Sequence, residues 1–281
     1  MNIKELEKEY IQSLNQFYDV EESKSIFYLS ATSILKVTQS ELLVKKDRVL
    51  TEKETDSLIK VLNDLKKGKP VQQVLGKAFF YGVPLQINEH VLIPRPETEE
   101  LVDWVIKEIK DKKESLLDIG TGSGCIPIAI KMNLPALSVS ALDISAEALK
   151  IASANAILNG TDIDFIEADI LSYSSDKRYD VIVSNPPYIR EIEKADMHEN
   201  VLAHEPHSAL FVSDDNPLIF YKSISDFAYA NLNPNGYLFF EINELLWEET
   251  LQVLIDKGFK NIELKKDMQG KDRMIMARTN P

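Results

Sequence analysis

Asn185-Pro186-Pro187-Tyr188 combines the residue types in this chain that are best suited to chemistry. The tetrapeptide follows an apolar run that is typical of a buried strand. Proline has no N–H for a sheet, and the residue before a proline is driven out of the helical region, so the chain must leave the sheet stiffly here. An amide, free carbonyl groups and an aromatic ring then lie at the carboxyl end of a strand, where open α/β sheets bind ligands. This set suits a site that holds a planar NH2 group by both hydrogens while a ring stacks on its plane. A proline-rich turn without a function is the alternative.

Alternate glycines form a loop after an earlier predicted strand: Gly120-Thr121-Gly122-Ser123-Gly124. Such glycines let the backbone turn sharply and let a ligand approach closely. The loop lacks both the GxGxxG spacing of dinucleotide sites and the Gly-Lys-Ser/Thr of a P-loop. An acid followed by GxGxG resembles the S-adenosylmethionine loop of Rossmann-like methyltransferases, which implies that Asp118 lies near the ammonium end of that cofactor. A tight strand–helix turn without a ligand is the alternative.

Two acidic residues end the next two predicted strands. Asp143 lies where an acid typically accepts hydrogen bonds from ribose hydroxyls, although it could instead cap the following helix. Asp169 ends the third strand and is followed by Ile170. In methyltransferases with this fold, the acid at this place faces the adenine amino group and the next side chain packs on the ring. An ordinary turn residue is the alternative for Asp169.

From about Pro96 onward, strand-like apolar runs alternate with helical patterns. Regular alternation predicts a mostly parallel sheet with helices on both faces. Strands are predicted at Ser115–Ile119, Leu137–Asp143, Asp162–Ala168, Asp180–Ser184, Gly236–Ile242, Asn261–Lys265 and Arg273–Ala277. Helices are predicted at Pro96–Lys110, Ile126–Met132, Ala146–Leu158, Pro217–Asn231 and Glu244–Asp256. The last two strands are too close for a helical crossover, so we expect them to pair as an antiparallel hairpin.

The amino-terminal part of the chain is different, because it lacks strand alternation. Its apolar residues recur at helical spacing, as in Ile3, Leu6, Tyr10, Leu14 and Phe17. Basic residues, a glycine and a proline then stop the helical pattern, and the following segment predicts a short hairpin around Gly82-Val83-Pro84. We therefore expect a helical domain at residues 1–69 that contributes to substrate recognition, a hairpin connector at 70–95 and a catalytic domain at 96–281.

Composition limits the classes of protein. The 281 residues, 44% of them hydrophobic, suit two domains or one large one, and the net charge of −13 argues against broad, stable docking on nucleic acid. A single cysteine, Cys125, fits a reducing compartment. The start has no signal-peptide pattern and no apolar run approaches the roughly 18 residues of a membrane helix, so we expect a cytoplasmic protein. The spacing of His198, His204 and His207 matches no metal signature, and no metal is predicted.

Several motifs together resemble the release factor glutamine methyltransferase family. They are Ile93-Pro94-Arg95-Pro96-Glu97-Thr98-Glu99, the segment 181–189, Glu205-Pro206 with Ala209-Leu210-Phe211, and the segment from Asp267 to Arg273. The resemblance extends over nearly the whole chain. It implies a class I, Rossmann-like methyltransferase fold with a seven-stranded sheet whose last strand is antiparallel. It also implies methylation of the glutamine in the Gly-Gly-Gln motif of class 1 peptide release factors, which act in translation termination.

The resemblance also implies residue roles. The Asn185 side-chain oxygen and the Pro186 carbonyl each accept one N–H of the glutamine amide, Pro187 completes the substrate motif, and Tyr188 packs over the amide plane. Asn185 also matches a cofactor position, with the loop residues 120–124 and Asp143. The products are the methylated glutamine and S-adenosylhomocysteine. Ile170 departs from the family, which often has an aromatic residue there. For Glu241 and the Arg95-Pro96-Glu97 segment, functional and structural roles stay equally open.

Two other functions remain open at this point. A nucleic acid amino-methyltransferase of the adenine N6 type would use the same tetrapeptide. The acidic balance and the lack of a basic, aromatic-bearing recognition domain argue against it. The second of these functions is a non-catalytic binding module that keeps the cofactor-binding fold. The intact glycine loop and Asn-Pro-Pro-Tyr motif argue against this function.

Overall fold

The computed structural model describes residues 1–109, 114–197 and 199–281. Contacts divide the described chain into two compact units. The first contains Met1–Lys77 together with a short helix at Glu199–His204, and the second contains Ala78–Met197 and Glu205–Pro281. Among the described residues, no helix is both long and apolar enough to cross a membrane. The cytoplasmic location stays a prediction.

The first unit is helical, as predicted. Its helices are α1 (Ile3–Leu14), α2 (Val20–Leu35), α3 (Gln39–Val44), α4 (Glu52–Leu65) and α5 (Val71–Leu75). Side chains at the helix starts accept backbone N–H groups that would otherwise lack partners, as Thr51 does from Glu54. Four residues of the predicted apolar stripe are buried, but Phe17 is 36% exposed because α1 ends at Leu14. The stripe prediction is therefore wrong at Phe17.

A hairpin follows, formed by β1 (Lys77–Phe80) and β2 (Val83–Gln86). Its turn is Tyr81-Gly82, with φ of 49° and 76°, the left-handed backbone that two-residue hairpin turns require. The turn lies earlier than the predicted Gly82-Val83-Pro84, because Val83 is buried in the core and Pro84 is an exposed residue within β2. Phe80 and Leu85 also join the core of the second unit.

The second unit is built on a seven-stranded sheet. The strands of this sheet are β3 (Ser115–Ile119), β4 (Ser138–Asp143), β5 (Asp164–Glu167), β6 (Tyr179–Ser184), β9 (Leu232–Glu241), β10 (Lys260–Lys266) and β11 (Asp272–Arg278). They lie in the order β10-β11-β9-β6-β3-β4-β5. The unit also contains the short strands β7 (Ile189–Arg190) and β8 (Phe211–Val212) and the helices α6 (Pro96–Ile109), α7 (Cys125–Asn133), α8 (Ala146–Leu158), α10 (Ile219–Asn231) and α11 (Trp247–Lys257). The helix of the first unit that lies between β7 and β8 in the chain, Glu199–His204, is α9.

The sheet has the predicted strand directions. Strands β3, β4, β5, β6 and β9 pair in parallel, and β11 is antiparallel to both of its neighbours, β9 and β10. β3 pairs with β4 on one side and with β6 on the other, so the strand order reverses at this point. The loops after β3 and β6 therefore begin side by side, at the edge where such sheets bind ligands.

Most predicted elements are present, with shifted ends. α11 begins at Trp247 instead of Glu244, because the Asn243 side chain accepts the N–H of Leu245 at 2.8 Å and forms a turn there. α10 begins at Ile219 instead of Pro217. The predicted helix from Pro96 is described to Ile109, and its last predicted residue, Lys110, lies outside the described residues.

Candidate active site

A cavity of about 270 Å³ lies at the carboxyl ends of β3, β4 and β6. Most residues predicted to bind cofactor or substrate line it: Gly120, Gly122, Asp143, Asp169, Ile170, Asn185, Pro186 and Pro187. The other predicted residues are absent from its described wall: Asp118, Thr121, Ser123, Gly124 and Tyr188. The sheet thus brings most of the predicted residues to one place, and their binding roles stay predictions.

The three loop glycines have left-handed backbone but differ in what surrounds them. A Cβ atom on Gly122 would meet no atom within 4 Å, and one on Gly120 would meet only the Asn185 carbonyl, at 4.0 Å. A Cβ on Gly124 would meet Ala152 Cβ and Ile128 Cδ1, both at 3.1 Å. Gly120 and Gly122 therefore leave space beside the cavity, whereas Gly124 allows helix α8 to pack closely.

Asp143 is held by the glycine loop. Its Oδ2 accepts the N–H of Gly122 at 2.8 Å, and its Oδ1 accepts the N–H of Ser145 at 2.9 Å. The helix after it is capped by Ser145, whose hydroxyl accepts the N–H of Ala148. Asp143 is therefore not the cap of α8, and its carboxylate is fixed at the cavity wall.

Asp118 is buried behind the loop without a hydrogen-bond partner for either carboxylate oxygen among the described residues. Burial is the main cause that raises its pKa to about 7, and the charge of Asp143 adds to it. The nearby Thr121 hydroxyl acts in the opposite direction, although no hydrogen bond joins the two side chains. A buried carboxylate without a partner is costly, and groups with such perturbed pKa values cluster at functional sites.

The cavity is also lined by an aromatic residue that sequence analysis missed. Asp169 accepts the N–H of Leu171 at 2.9 Å, and Ile170 lines the wall beside it. Phe220, from α10, lines the same cavity. A ring from a distant helix can supply the aromatic surface that Ile170 lacks. Its position 50 residues further along the chain gave no local signal.

Behind the Asn-Pro-Pro-Tyr segment lies a buried hydrogen-bond network around Glu241, the last residue of β9. The Asn185 amide donates from Nδ2 to Thr98 Oγ1 at 3.1 Å, and Thr98 donates to Glu241 Oε2 at 2.6 Å. The Tyr188 hydroxyl donates to Glu241 Oε1 at 2.9 Å. Thr98 and Glu241 are 2% and 1% exposed. Burial raises the pKa of Glu241, while the hydroxyls of Thr98 and Tyr188 oppose this effect.

The backbone around Tyr188 is also held. Asn243 donates from Nδ2 to the Tyr188 carbonyl at 3.0 Å and to Glu193 at 3.1 Å. At the end of β6, the Ser184 hydroxyl donates to the Ile119 carbonyl at 2.6 Å. Hydrogen bonds therefore hold the motif at both ends, which favours one conformation of the substrate segment.

The Arg95-Pro96-Glu97 segment has a structural anchor. Glu205, only 4% exposed, accepts Arg95 Nη2 at 2.6 Å and the backbone N–H of Ile93 at 3.0 Å. Pro96 is the first residue of α6, where its missing N–H costs nothing. This ion pair links the start of α6 to the chain just before the cavity residues Ser208 and Ala209.

The predicted absence of a metal is not tested by the structure. Within the described part of the chain, no three or more His, Cys, Asp or Glu side chains are grouped so that they could hold a metal ion. His204 instead lies near the Lys67 carbonyl, 3.3 Å from Nε2, and His198 lies outside the described residues.

Two solved structures show the fold alone. A methyltransferase from Pyrococcus furiosus superposes with a TM-score of 0.52 at 18% identity, covering 71% of this chain and 90% of that one. A 16S rRNA methyltransferase from T. Thermophilus, in complex with AdoMet and guanosine, gives 0.52 at 16% identity, with 73% and 50% covered. Since one of these proteins is an RNA methyltransferase, the fold does not separate protein from nucleic acid substrates.

Comparison with related sequences identifies the family, which the solved structures do not. The model of the methyltransferase small domain matches residues 98–211, and that of the PrmC N-terminal domain matches 5–76. A release factor glutamine methyltransferase of Flavobacterium psychrophilum is 46% identical, covering 98% of each chain. One of Bacteroides thetaiotaomicron is 41% identical over 95% of this chain and 96% of its own. At these identities over almost the full length, the chain belongs to the release factor glutamine methyltransferase family.

Proposed function

We propose that this protein methylates the side-chain amide nitrogen of the glutamine in the Gly-Gly-Gln motif of class 1 peptide release factors, with S-adenosylmethionine as the methyl donor. The observation that carries the proposal is the Asn185-Pro186-Pro187-Tyr188 segment, which is held by hydrogen bonds and whose first three residues line the same cavity as Gly120 and Gly122. Membership of the family supports the same reaction. The net charge of −13 argues against broad docking on a nucleic acid substrate.

The residues around the cavity fit the proposed cofactor. Gly120 and Gly122 leave room for a close approach, and Asp143 is fixed where it can accept ribose hydroxyls. Asp118 lies behind the glycine loop and off the described cavity wall, and its unpaired, buried carboxylate suits the charge of a ligand ammonium group. Asp169, Ile170 and Phe220 line the cavity and suit an adenine ring. When bound, S-adenosylmethionine supplies an electrophilic methyl group, and the protein residues align the acceptor with it.

A glutamine amide nitrogen is a weak nucleophile because its lone pair is delocalised into the carbonyl group. The Asn185 oxygen and the Pro186 carbonyl would each accept one of its N–H groups. Each bond contributes roughly 0.5–1.5 kcal/mol net, and more where it strengthens in the transition state. Alignment of the reactants is the larger effect, since it can remove about 7–11 kcal/mol of the barrier. The nitrogen becomes more acidic as it gains the methyl group, so its proton leaves late and a strong base is not required.

The first prediction concerns Asn185. Asn185→Ala removes one acceptor for the glutamine amide, and we expect turnover to fall by about 100-fold while S-adenosylmethionine affinity changes by less than about threefold. Methyl transfer to an unmethylated class 1 release factor would be followed by intact mass and peptide mapping. Calorimetry would give the cofactor affinity.

Duplex DNA in a parallel reaction distinguishes the rival function. One methyl group on the Gly-Gly-Gln glutamine, abolished by Asn185→Ala, is the expected result. Label in the DNA with none on the release factor would move the substrate to an amino base. Equal losses of turnover and cofactor affinity in the variant would remove Asn185 from its role as an amide acceptor.

A further inference from the structure

We propose that Thr98 and Glu241 are positioning residues that determine which atom of the Asn185 amide faces the cavity. The inference rests on the proposed function, because it concerns how the substrate amide is held. Thr98 lies in the first turn of α6, before Asn185 in the sequence, and Glu241 lies at the end of β9, after it. Both side chains are buried, and together they connect Asn185 to Tyr188.

The direction of each hydrogen bond follows from the chemistry of the groups. When Glu241 is ionised its carboxylate only accepts, so the Thr98 hydroxyl, 2.6 Å from Glu241 Oε2, directs its single hydrogen to Glu241. Thr98 Oγ1 can then only accept a hydrogen bond from Asn185, through its lone pairs. Only the NH2 side of the Asn185 amide can satisfy them, at 3.1 Å. The Asn185 oxygen is therefore directed away from Thr98 and is available for a substrate N–H.

The same network determines the cost of the wrong orientation. If the Asn185 amide rotated by half a turn, its oxygen would face the lone pairs of Thr98, and its NH2 group would face the N–H groups of the substrate. Both contacts are repulsive, and the buried hydroxyl would lose its donor. Without the Thr98 hydroxyl this discrimination disappears, and the two orientations of the amide become closer in free energy.

Tyr188 is bound to the second oxygen of the same carboxylate. Its hydroxyl donates to Glu241 Oε1 at 2.9 Å. Because the hydrogen of this hydroxyl is directed to Glu241, we assign the hydroxyl a positioning role and no role as an acid or base. One carboxylate therefore holds both ends of the substrate segment. This arrangement explains why an acidic side chain is buried at the end of a strand without itself lining the cavity.

The test compares Thr98→Val, which removes the hydroxyl at nearly constant shape, with Thr98→Ser, which keeps it. We expect Thr98→Val to lower kcat for release factor methylation by about 10-fold, since misoriented amides are inactive and the correctly oriented ones are held less rigidly for alignment. S-adenosylmethionine affinity and the KM for the release factor should stay within about twofold. Thr98→Ser should retain kcat within about threefold. Thr98→Ala repeats the test if the valine variant does not fold.

A double-mutant cycle with Asn185→Ala separates positioning from general stability. Because Thr98 acts through Asn185, Thr98→Val should reduce kcat by less than about twofold in the Asn185→Ala background. The inference is overturned if Thr98→Val is as active as the wild type, if Thr98→Ser is equally impaired, or if the two losses multiply. Absence of methylation by the wild-type protein in the same assay would instead contradict the proposed function.

Discussion

Asp118 lies in an environment that disfavours the charged form of its carboxyl group. Its carboxylate is buried and unpaired, and its pKa of about 7 lies far above the usual value for an aspartate. Between about pH 4 and pH 7 the folded protein therefore binds more protons at this site than the unfolded chain does. Stability must fall as the pH rises through this range, and the loss is complete above it.

Asp118→Asn should remove this penalty. At pH 8 we expect the ligand-free variant to be more stable than the wild type by on the order of 4 kcal/mol. At pH 5 the difference should be smaller, on the order of 1–2 kcal/mol, because the unfolded aspartate is already ionised there while the folded one is still protonated. The stabilisation by S-adenosylmethionine should be smaller in the variant, because the partner of the ligand ammonium group is lost. Thermal melts at both pH values, with and without the cofactor, measure these differences.

Asp180 provides a control, because its pKa is shifted in the opposite direction from that of Asp118. Burial raises its pKa, but hydrogen bonds from Asn233 and from the Glu114 and Ser115 backbone outweigh burial, so the net shift is downward. Its contribution to stability is present at neutral pH and is lost as the pH falls. Asp180→Asn should therefore lower the melting temperature at pH 8. A melting temperature of Asp118→Asn below that of the wild type at pH 8 would contradict the account of Asp118.

At the scale of elements, the loop between β3 and α7 contains glycines with separate functions. Gly122 has a φ of 53° and lines the cavity, and a Cβ there would meet no other atom within 4 Å. Gly124 has a φ of 78°, but its Cβ would press against Ala152 and Ile128. We therefore expect Gly122 to let a ligand approach the backbone closely. Gly124 instead lets α7 and α8 pack closely.

Alanine at these two positions should separate the effects. Gly122→Ala should weaken S-adenosylmethionine binding by about 10-fold and reduce stability by about 1 kcal/mol, the strain of the left-handed backbone. Gly124→Ala should reduce stability by roughly 2–4 kcal/mol, because steric overlap adds to that strain. Gly270→Ala is the matched control, with a φ of 84°, open space around the Cβ and no place on the cavity wall. Similar cofactor affinity in Gly122→Ala and Gly270→Ala would exclude a ligand role for Gly122.

The local pattern of the sequence was enough to predict the elements and the loops at their ends. Asn185 and Gly122 lie where a strand must end, so their neighbours along the chain revealed them. Thr98 and Glu241 did not emerge as a pair, because they are 143 residues apart and a buried hydrogen bond between distant residues has no local signal. Phe220 was missed for the same reason. Pairing of this kind depends on the order of the strands, which the sequence pattern alone does not determine.

At the scale of the whole molecule, the chain alternates between the two compact units. After the substrate motif it contributes α9 to the first unit and then returns to the second at Glu205. α9 has only six residues and none of them is buried, so it cannot be stable by itself. Within the first unit, Asn200 Nδ2 donates to the Tyr18 hydroxyl at 2.8 Å, and Gln73 Nε2 donates to the His204 carbonyl at 2.9 Å.

These hydrogen bonds should affect binding of the release factor more than binding of S-adenosylmethionine. The residues that line the cavity all belong to the second unit, so S-adenosylmethionine affinity should not depend on α9. In the chain, however, α9 begins eleven residues after Tyr188 and ends four residues before the cavity residue Ser208. Loosening α9 gives the connecting segments more conformations, and binding of a large substrate must then order them again.

Asn200→Ala removes one bond that holds α9. We expect the KM for the release factor to rise about fivefold, which corresponds to about 1 kcal/mol for one hydrogen bond, with S-adenosylmethionine affinity unchanged. Glu199→Ala, on the same short helix, alters a residue that is exposed and should leave KM within about twofold. Steady-state methylation at saturating cofactor, with calorimetry for the cofactor itself, separates the two quantities. If Asn200→Ala weakened cofactor binding as much as it raised KM, the first unit would influence the cavity itself and would not act on the release factor alone.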